Sequence, residues 1–478
     1  MRLTPIAIAV LFANFASAAT RNSAPFRAPG PPLAYPPADP DDRGIPTKAV
    51  LLDRYVEQKL DHTNPNDART WFQRYLIADE FYTPGGPVFV FLSGPWKIDG
   101  EIAVNGSIGL LGRDLGAVLI DLEHRFYGKS KPTESLTIED LAFLTIEQAI
   151  SDIVNFATFL KQNDEMFSGP WILYGSGYSA SLAAWTRAQH PDIFAGAYAS
   201  CPRLHVTPYF EDYYRVVYSA LEEASPGCGN LVWQGFEEMS LIVASGDSET
   251  LAQHFTFCDG KIDTRDPYDV QNLYNIATEH FGQEVETARV GNLTDNVCYW
   301  MEFESLGTPF EMLAFLVNEF GTCYISDYQE VLEYAVNSTF WQEDYYGKQW
   351  MYQQCSELGQ FLTTGSTLGP TYVSIDYFLL YCKTVFGSQY NLLHLEQSAA
   401  RLNELYGGLT PKGTKIVYTV ASLDPWHTLG SHSASPESPL IMIQGASHSL
   451  DLSGPGQNDT FFVQDARRQV AELIQSWL

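Results

Sequence analysis

The sequence WILYGSGYSASLAAW, residues 171–185, decides the fold prediction. Its first residues are apolar and include the β-branched Ile172, which is typical of a short buried strand. Small residues follow from Gly175 to Ser181, and an alanine- and leucine-rich run then predicts a helix to about His190. A buried strand, a tight turn of small residues and a helix form the setting of a nucleophile elbow, in which a residue with strained backbone dihedrals projects from the edge of the sheet.

The centre of this turn is Gly177, where such a site needs a serine or a cysteine. Gly175 and Ser179, two positions away on either side, are small enough for the strand and helix backbones to approach closely. We expect the side chain of Ser176 to point away from position 177. Ser179 fits a loosened version of the motif, but only if the helix begins two residues later.

The rest of the chain predicts the sheet to which this turn belongs. Continuous apolar runs predict buried strands at 88–92, 116–121, 193–200, 415–420 and 439–443. Helical spacing over 138–162 predicts one helix with Phe159 among its inward positions. Strands that alternate with helices predict a doubly wound, mostly parallel α/β sheet. The segment 204–408 has helical periodicity instead, and predicts a helical insertion into that core.

The N-terminal residues predict processing rather than structure. Arg2 precedes an apolar stretch, and the small residues 16–18 suit a cleavage site, which is typical of a secretory signal. Eight prolines follow between Pro25 and Pro46 and predict an extended arm or a propeptide. The expected division of the chain is a signal peptide at 1–18, a proline-rich arm at 19–48, an α/β core at 49–203 and 409–478, and a helical cap at 204–408.

Charge and composition narrow the function classes. The formal net charge of −29 argues against nucleic acid as a partner. No apolar run after the leader is long enough for a membrane span, so we expect none. Four sequons agree with a secreted protein, or with one in a lysosomal or vesicular lumen, and predict glycosylation at Asn105, Asn292, Asn337 and Asn458. Cysteine and histidine spacing predicts no metal site, and we expect no cofactor. The oligomeric state stays open, a homodimer included.

Two residues downstream of the turn are candidates for an acid and a base. Asp424 follows the predicted strand 415–420, and His448 follows the predicted strand 439–443. Loops at the carboxyl ends of parallel strands meet at one edge of a sheet, where such folds place their sites. Their order along the chain, after the turn and acid before base, is that of α/β-hydrolase triads. His427 is a weaker candidate for the base, because it shares a short loop with Asp424.

With these residues in place, the chain resembles the prolylcarboxypeptidase and dipeptidyl-peptidase II family of serine exopeptidases, in particular its thymus-specific serine protease branch. The resemblance covers about residue 55 to the C-terminus. It rests on the segments LeuAspHis-x-Asn (60–64), GlnArgTyr (73–75), GluHisArg-x-TyrGly-x-Ser (123–130), Gln148-Ala149 with Asp152, the turn at 175–180, AspProTrp (424–426) and GlyAlaSerHis (445–448).

The resemblance implies an α/β-hydrolase core with a helical cap, and removal of a residue or dipeptide next to proline. It assigns the acid to Asp424, the base to His448 and one oxyanion donor to the backbone N–H of Tyr178. The family motif Gly-Gly-Ser-Tyr-x-Gly here reads Gly-Ser-Gly-Tyr-Ser-Ala over 175–180, so the serine is missing. The loop that supplies the second oxyanion donor carries Pro95, which has no N–H to donate.

The chain has seven cysteines, all between positions 201 and 382. In an oxidising compartment an even number should pair, and the spacing alone leaves the connectivity open. The resemblance implies the pairs Cys228–Cys298, Cys258–Cys323 and Cys355–Cys382, with Cys201 free.

Two function hypotheses follow. In the first, the protein is a catalytically impaired or inactive family member that binds peptides, proline-containing ones included, between core and cap. In the second, it is an active prolyl-specific serine exopeptidase in which Asp424 and His448 act on Ser179 as a displaced nucleophile. The missing side chain at Gly177 favours the first.

Overall fold

The computed structural model describes residues 50–288, 293–303, 307–318, 323–340, 346–365, 372–431 and 435–478. The predicted signal peptide (1–18), the proline-rich arm (19–48) and the sequon at Asn292 lie outside the described residues. No helix within the described ranges is long and apolar enough to cross a membrane.

An eight-stranded sheet forms the centre of the fold. Its strands, with those of a smaller sheet, are β1 (Leu52–Lys59), β2 (Thr70–Ala78), β3 (Val88–Leu92), β4 (Val118–Leu122), β5 (Trp171–Ser176), β6 (Gly196–Ser200), β7 (Thr207–Tyr209), β8 (Gly359–Phe361), β9 (Ile416–Ala421) and β10 (Leu440–Ile443). The order across the large sheet is β1-β2-β4-β3-β5-β6-β9-β10. Strands β1 and β2 pair antiparallel, β2 is antiparallel to β4, and the remaining pairs are parallel. This is the mostly parallel sheet of an α/β-hydrolase core.

The α-helices cover both faces of this sheet and build a further layer. They are α1 (Glu101–Asn105), α2 (Ser107–Asp114), α3 (Ile138–Leu141), α4 (Ile146–Asn163), α5 (Tyr178–Gln189), α6 (Asp212–Ala224), α7 (Cys228–Ser245), α8 (Ser248–His254), α9 (Pro267–Thr287), α10 (Tyr299–Met301), α11 (Pro309–Asn318), α12 (Tyr328–Asn337), α13 (Gly347–Gln353), α14 (Ile375–Phe386), α15 (Leu392–Tyr406) and α16 (Phe461–Trp477). Short 3-10 turns lie at Glu165–Phe167, His427–Leu429 and Leu450–Leu452, and π-helical segments at Thr294–Cys298 and Gln354–Leu358.

The two faces of the sheet bury separate apolar clusters. On one face, α4, α5 and α15 pack against alternate residues of β3 and β4, such as Val88 and Ile120. On the other face, α1, α2 and α16 pack against the intervening residues, such as Phe89 and Leu119. Because both faces are covered, every residue of β3, β4, β5 and β6 is buried, which explains their continuous apolar runs.

The cap consists of helices between β6 and β9 that share a third apolar cluster. Its disulfides join Cys228 to Cys298, Cys258 to Cys323 and Cys355 to Cys382, the pairs implied by the resemblance. Cys201 is free and buried just after β6. Three disulfides fit an oxidising compartment such as the exterior or the lysosomal lumen.

Some local predictions were wrong. The helix predicted over 138–162 is two helices, because Thr145 caps a new helix by accepting a hydrogen bond from the Gln148 N–H. Phe159, predicted to face inward, is 45% exposed on the outer side of α4. Strand β1 and the small β7–β8 sheet were not predicted, since their residues lack an apolar run.

Three of the sequons lie within the described ranges. Asn337 and Asn458 are exposed, as a glycosylation acceptor needs to be. The amide of Asn105 is half-buried, donates to Glu101 at 2.8 Å and accepts from Arg113 at 3.0 Å. Glycosylation at all three stays a prediction.

Candidate active site

The turn between β5 and α5 is as tight as the sequence predicts. Gly177 adopts φ 55° and ψ −115°, a combination that residues with side chains rarely adopt. Its N–H donates to the carbonyl of Ser200 on β6 at 3.1 Å, which fixes the turn against the neighbouring strand. At Gly175 a Cβ atom would lie 2.5 Å from the carbonyl carbon of Ser179, so strand and helix approach too closely there for any side chain. The strand ends at Ser176 and the helix begins at Tyr178, with Gly177 at the apex.

The structure brings Asp424 and His448 to this apex. Asp424 follows β9 and His448 follows β10, so both lie at the carboxyl edge of the sheet, beside the end of β5. His448 Nδ1 lies 3.0 Å from Asp424 Oδ2. On the other side of the imidazole, a Cβ atom on Gly177 would lie 3.1 Å from Nε2. A side chain at position 177 would therefore be in direct contact with the imidazole of an Asp–His pair.

Burial and pairing shape the ionisation of this pair. Burial alone would lower the pKa of His448, but the charge and hydrogen bond of Asp424, with Glu286 adding to them, outweigh it and leave the pKa above its usual value. Burial would raise the pKa of Asp424, yet its attraction to His448 leaves that pKa below its usual value. Each partner therefore favours the charged form of the other.

The two serines of the turn have different surroundings. Ser179 is fully buried; its Oγ accepts from the Ser176 N–H at 3.0 Å and donates to the Ser176 carbonyl at 3.1 Å. The expectation for Ser176 was wrong: its Oγ lies 3.5 Å from His448 Nε2 and donates to Ser449 Oγ at 2.7 Å. Strand β5 extends to Ser176 itself, and this places the side chain on the side of the histidine loop rather than away from it.

Comparison with known proteins now decides the family. Residues 58–470 match the serine carboxypeptidase S28 peptidases. The chain belongs to the serine carboxypeptidase S28 family. It is 28% identical over 445 residues to the thymus-specific serine protease of Homo sapiens, covering 89% of this chain and 86% of that protein. It is 23% identical over 461 residues to the lysosomal Pro-X carboxypeptidase of Bos taurus, covering 89% of this chain and 87% of that protein.

Two residues of this S28 family member that sequence reasoning did not single out, Arg203 and Glu286, lie near the apex. Arg203 is 5% exposed, and its guanidinium carbon lies 3.4 Å from the ring centre of Trp426. Glu286 of α9 approaches Arg203 Nη2 to 3.5 Å and accepts at 3.0 Å from Trp426 Nε1. Arg203 comes three residues after β6, so its loop position was a usable signal. Glu286 lies within a cap helix, where no local pattern marks it.

Cap and core meet at this point. The backbone N–H of His448 donates to the Glu286 carbonyl at 3.2 Å, and Ser447 Oγ donates to the carbonyl of Ala288. Glu286 also accepts a hydrogen bond from Tyr213 of α6 at 3.0 Å. The loop that carries the histidine is thus held by the cap as well as by the sheet.

The remaining candidates lie close by. The backbone N–H of Tyr178 belongs to the first turn of α5, where N–H groups have no acceptor within the helix. Pro95 is buried in the loop after β3. The ring of Trp96 packs against the neighbouring Gly94, where a Cβ atom would lie 2.3 Å from it. His427 bonds through Nδ1 to the backbone carbonyl of Asp424 at 2.7 Å. The part each plays in an oxyanion site or as a base stays a prediction.

One grouping has the donor types of a metal site. Ligand atoms of Cys201, Asp424 and His448 lie within 4.8 Å of one another. Two of the three already form the Asp–His pair. Burial, together with the nearby negative charges of Asp424 and Asp451, holds the pKa of the Cys201 thiol well above its usual range, so the thiolate that a metal requires is disfavoured. These residues therefore fit an Asp–His pair better than a metal centre.

Proposed function

We propose that this chain is a non-catalytic member of its peptidase family that binds peptides between core and cap. The observation that carries the proposal is the geometry of Gly177. The backbone has the strained conformation of a nucleophile position, and the Cβ site lies 3.1 Å from His448 Nε2, but position 177 has no side-chain oxygen. Gly177 stands, in this account, where relatives carry the reactive serine.

Known catalytic triads show that the loss of the nucleophile side chain lowers turnover strongly. Removal of the nucleophile lowers turnover by about 10⁶ in subtilisin, with a residual about 10³–10⁴ over water that comes from binding and the oxyanion site. Pro95 has no N–H to donate. If its loop lines the oxyanion site, part of the remaining rate enhancement is lost as well. Binding, rather than turnover, is the activity that these residues retain.

A second candidate function is an active serine exopeptidase with a substitute nucleophile. Ser176 is favoured by one observation, the 3.5 Å between its Oγ and His448 Nε2. Ser179, the substitute that the sequence suggests, has both hydrogen-bonding capacities of its hydroxyl directed to the backbone of Ser176. If Ser179 were the nucleophile, the first turn of α5 would have to unwind. We therefore favour the non-catalytic proposal over a nucleophilic Ser179.

The finer parts of the proposal rest on the sequence and on the relatives. Proline-containing peptides are the proposed ligands because the chain is similar to a lysosomal Pro-X carboxypeptidase. Secretion or delivery to a lysosomal lumen is proposed from the signal-like leader and the sequons, with which the three disulfides agree. Division into a core at 49–203 and 409–478 and a cap at 204–408 is proposed on the same basis.

Fluorophosphonate labelling tests the proposal. We expect no adduct on the purified wild-type protein, and an adduct at position 177 in the Gly177→Ser variant, located by peptide mapping of residues 171–187. A wild-type adduct that disappears in Ser176→Ala or in Ser179→Ala would identify a substitute nucleophile and contradict the non-catalytic account. The Gly177→Ser variant serves as the positive control, because its labelling shows that the scaffold can activate a hydroxyl.

A further inference from the structure

The Cβ site of Gly177 is bordered by the guanidinium of Arg203 and by the imidazole of His448, whose Nε2 also lies 3.5 Å from Ser176 Oγ. His448 Nε2 lies 3.1 Å from the Cβ site of Gly177, and Arg203 Nε lies 3.8 Å from the same point. Arg203 Nε is buried and has no hydrogen-bond partner among the residues that the structure describes. An unpaired buried N–H of a guanidinium is costly, so a ligand that accepts from it is strongly favoured.

Other nitrogens of these two residues lie close to acidic side chains. His448 uses Nδ1 for Asp424, and Arg203 approaches Glu286 through Nη2 at 3.5 Å. Arg203 and Phe210 both pack against the Trp426 indole, with the Phe210 ring stacked on it at 5.6 Å. What the site offers a ligand is therefore hydrogen bonding from Arg203 Nε, and from His448 Nε2 when the imidazole is protonated, rather than an aromatic face.

The backbone adds to this polarity. Helix α5 has twelve residues, and its N-terminus, at Tyr178, adjoins the same space. The first N–H groups of a helix favour a negative charge. The side chains of His448 and Glu286 are 12% and 20% exposed, so solvent reaches part of both.

We propose that the space beside Gly177 binds the C-terminal carboxylate of a peptide. One carboxylate oxygen takes the place of the missing side chain at position 177, against His448 Nε2 and Arg203 Nε, and the other faces the N-terminus of α5. The inference rests on the proposed function, since a reactive hydroxyl at position 177 would occupy the same space. The protein is then a receptor for peptides with a free C-terminal carboxylate. Peptide-bond hydrolysis leaves this group on the N-terminal product.

The charges of the site favour a carboxylate over a dianion. The carboxylates of Asp424 and Glu286 lie close to His448 and Arg203 respectively, and the whole chain has a formal net charge of −29. A single negative charge is balanced by the Arg203 guanidinium and the helix N-terminus, and it favours the protonated imidazole, which can donate from Nε2, whereas a phosphate dianion adds repulsion from both carboxylates. An amide terminus has no charge and gains none of this attraction.

Matched peptide acids and amides test the inference. The probes are fluorescein-labelled tripeptides Gly-Ala-Xaa, with each common residue at Xaa, prepared with a free carboxylate and as the C-terminal amide. Binding to the full-length protein is measured by fluorescence anisotropy. Because a hydrogen bond to a charged group is worth about 1.5–3 kcal/mol, we expect the preferred acid to bind on the order of tenfold to a hundredfold more tightly than its amide.

Two variants should remove that preference by different routes. Arg203→Gln removes the unpaired N–H, and Gly177→Ala places a methyl group in the proposed oxygen position. Arg187→Gln is the matched control, because Arg187 is also buried, carries unpartnered nitrogens and lies in the last turn of α5. We expect the acid preference to survive in Arg187→Gln and to disappear in the other two. Circular dichroism and thermal unfolding establish that each variant is folded.

Equal binding of acids and amides to the wild type would overturn the inference, as would an acid preference that persists in both Arg203→Gln and Gly177→Ala. Binding of neither form would overturn it together with the peptide-binding part of the proposed function. The non-catalytic part is judged separately by the fluorophosphonate experiment, so failure of one proposal is distinguishable from failure of the other.

Discussion

Two Asp–His pairs in this chain are alike in their direct contacts and different in their surroundings. His448 Nδ1 lies 3.0 Å from Asp424, and His62 Nε2 lies 2.7 Å from Asp152. In both pairs the histidine side chain is 12% exposed and the aspartate is buried. An inspection of ion pairs alone would rank the two equally as candidates for a catalytic dyad.

The surroundings separate them. Asp152 is shared with Arg125, which reaches it at 2.6 Å and 2.7 Å and also donates to the carbonyls of Leu60 and Phe143. That network ties β1, β4 and α4 together inside the core. The imidazole of His448 instead turns its second nitrogen towards the apex at Gly177. An Asp–His contact is thus not a catalytic feature by itself. The residue that faces the other ring nitrogen decides whether the pair can act in catalysis.

The largest effect on stability is expected in the network at Asp152. Asp152→Asn leaves the Arg125 guanidinium buried without a counter-charge, and breaking a buried ion pair in this way costs about 3–5 kcal/mol. Asp424→Asn should cost clearly less, because His448 can release its proton and become neutral, whereas arginine cannot. Urea unfolding of the two variants beside wild type measures both values. A greater loss in Asp424→Asn would contradict the structural assignment of the Asp152 pair.

A smaller effect is expected from Ser179. Its hydroxyl makes two hydrogen bonds to the backbone of Ser176, and each is worth about 0.5–1.5 kcal/mol. Ser179→Ala should therefore lower the free energy of unfolding by roughly 1–3 kcal/mol, yet leave the fluorophosphonate labelling of a Gly177→Ser background intact. If labelling of that background requires Ser179, its hydroxyl does more than hold the turn.

The smallest effect is expected in the pH dependence of stability. The folded-state pKa of His448 is raised, so its contribution is fully present below the unfolded value of about 6.5 and is lost as pH rises through the folded value. The folded-state pKa of Asp424 is lowered, so its contribution is present above its usual value and is lost as pH falls through the folded one. The destabilisation by His448→Gln should accordingly shrink from pH 6 towards pH 9. A difference that grows over this range would contradict the assigned direction.

Much of the site could be predicted from sequence because its residues follow predicted strands. Asp424 and His448 each follow an apolar run, and parallel strands bring their carboxyl ends to one edge whatever lies between them. The orientation of Ser176 could not be predicted, because it depends on how far β5 continues. Glu286 could not be predicted either, since its position depends on how a cap helix, far along the chain from the turn, packs on the core.

The most direct test of the central claim places a hydroxyl at the apex and removes each histidine in turn. We predict that Gly177→Ser reacts with a fluorophosphonate, that adding His448→Gln lowers the labelling rate by about 10²–10⁴ and that adding His62→Gln leaves it unchanged. That result would identify Gly177 as the vacated nucleophile position of an otherwise retained dyad. Absence of labelling in folded Gly177→Ser, or labelling that does not depend on His448, would contradict the account.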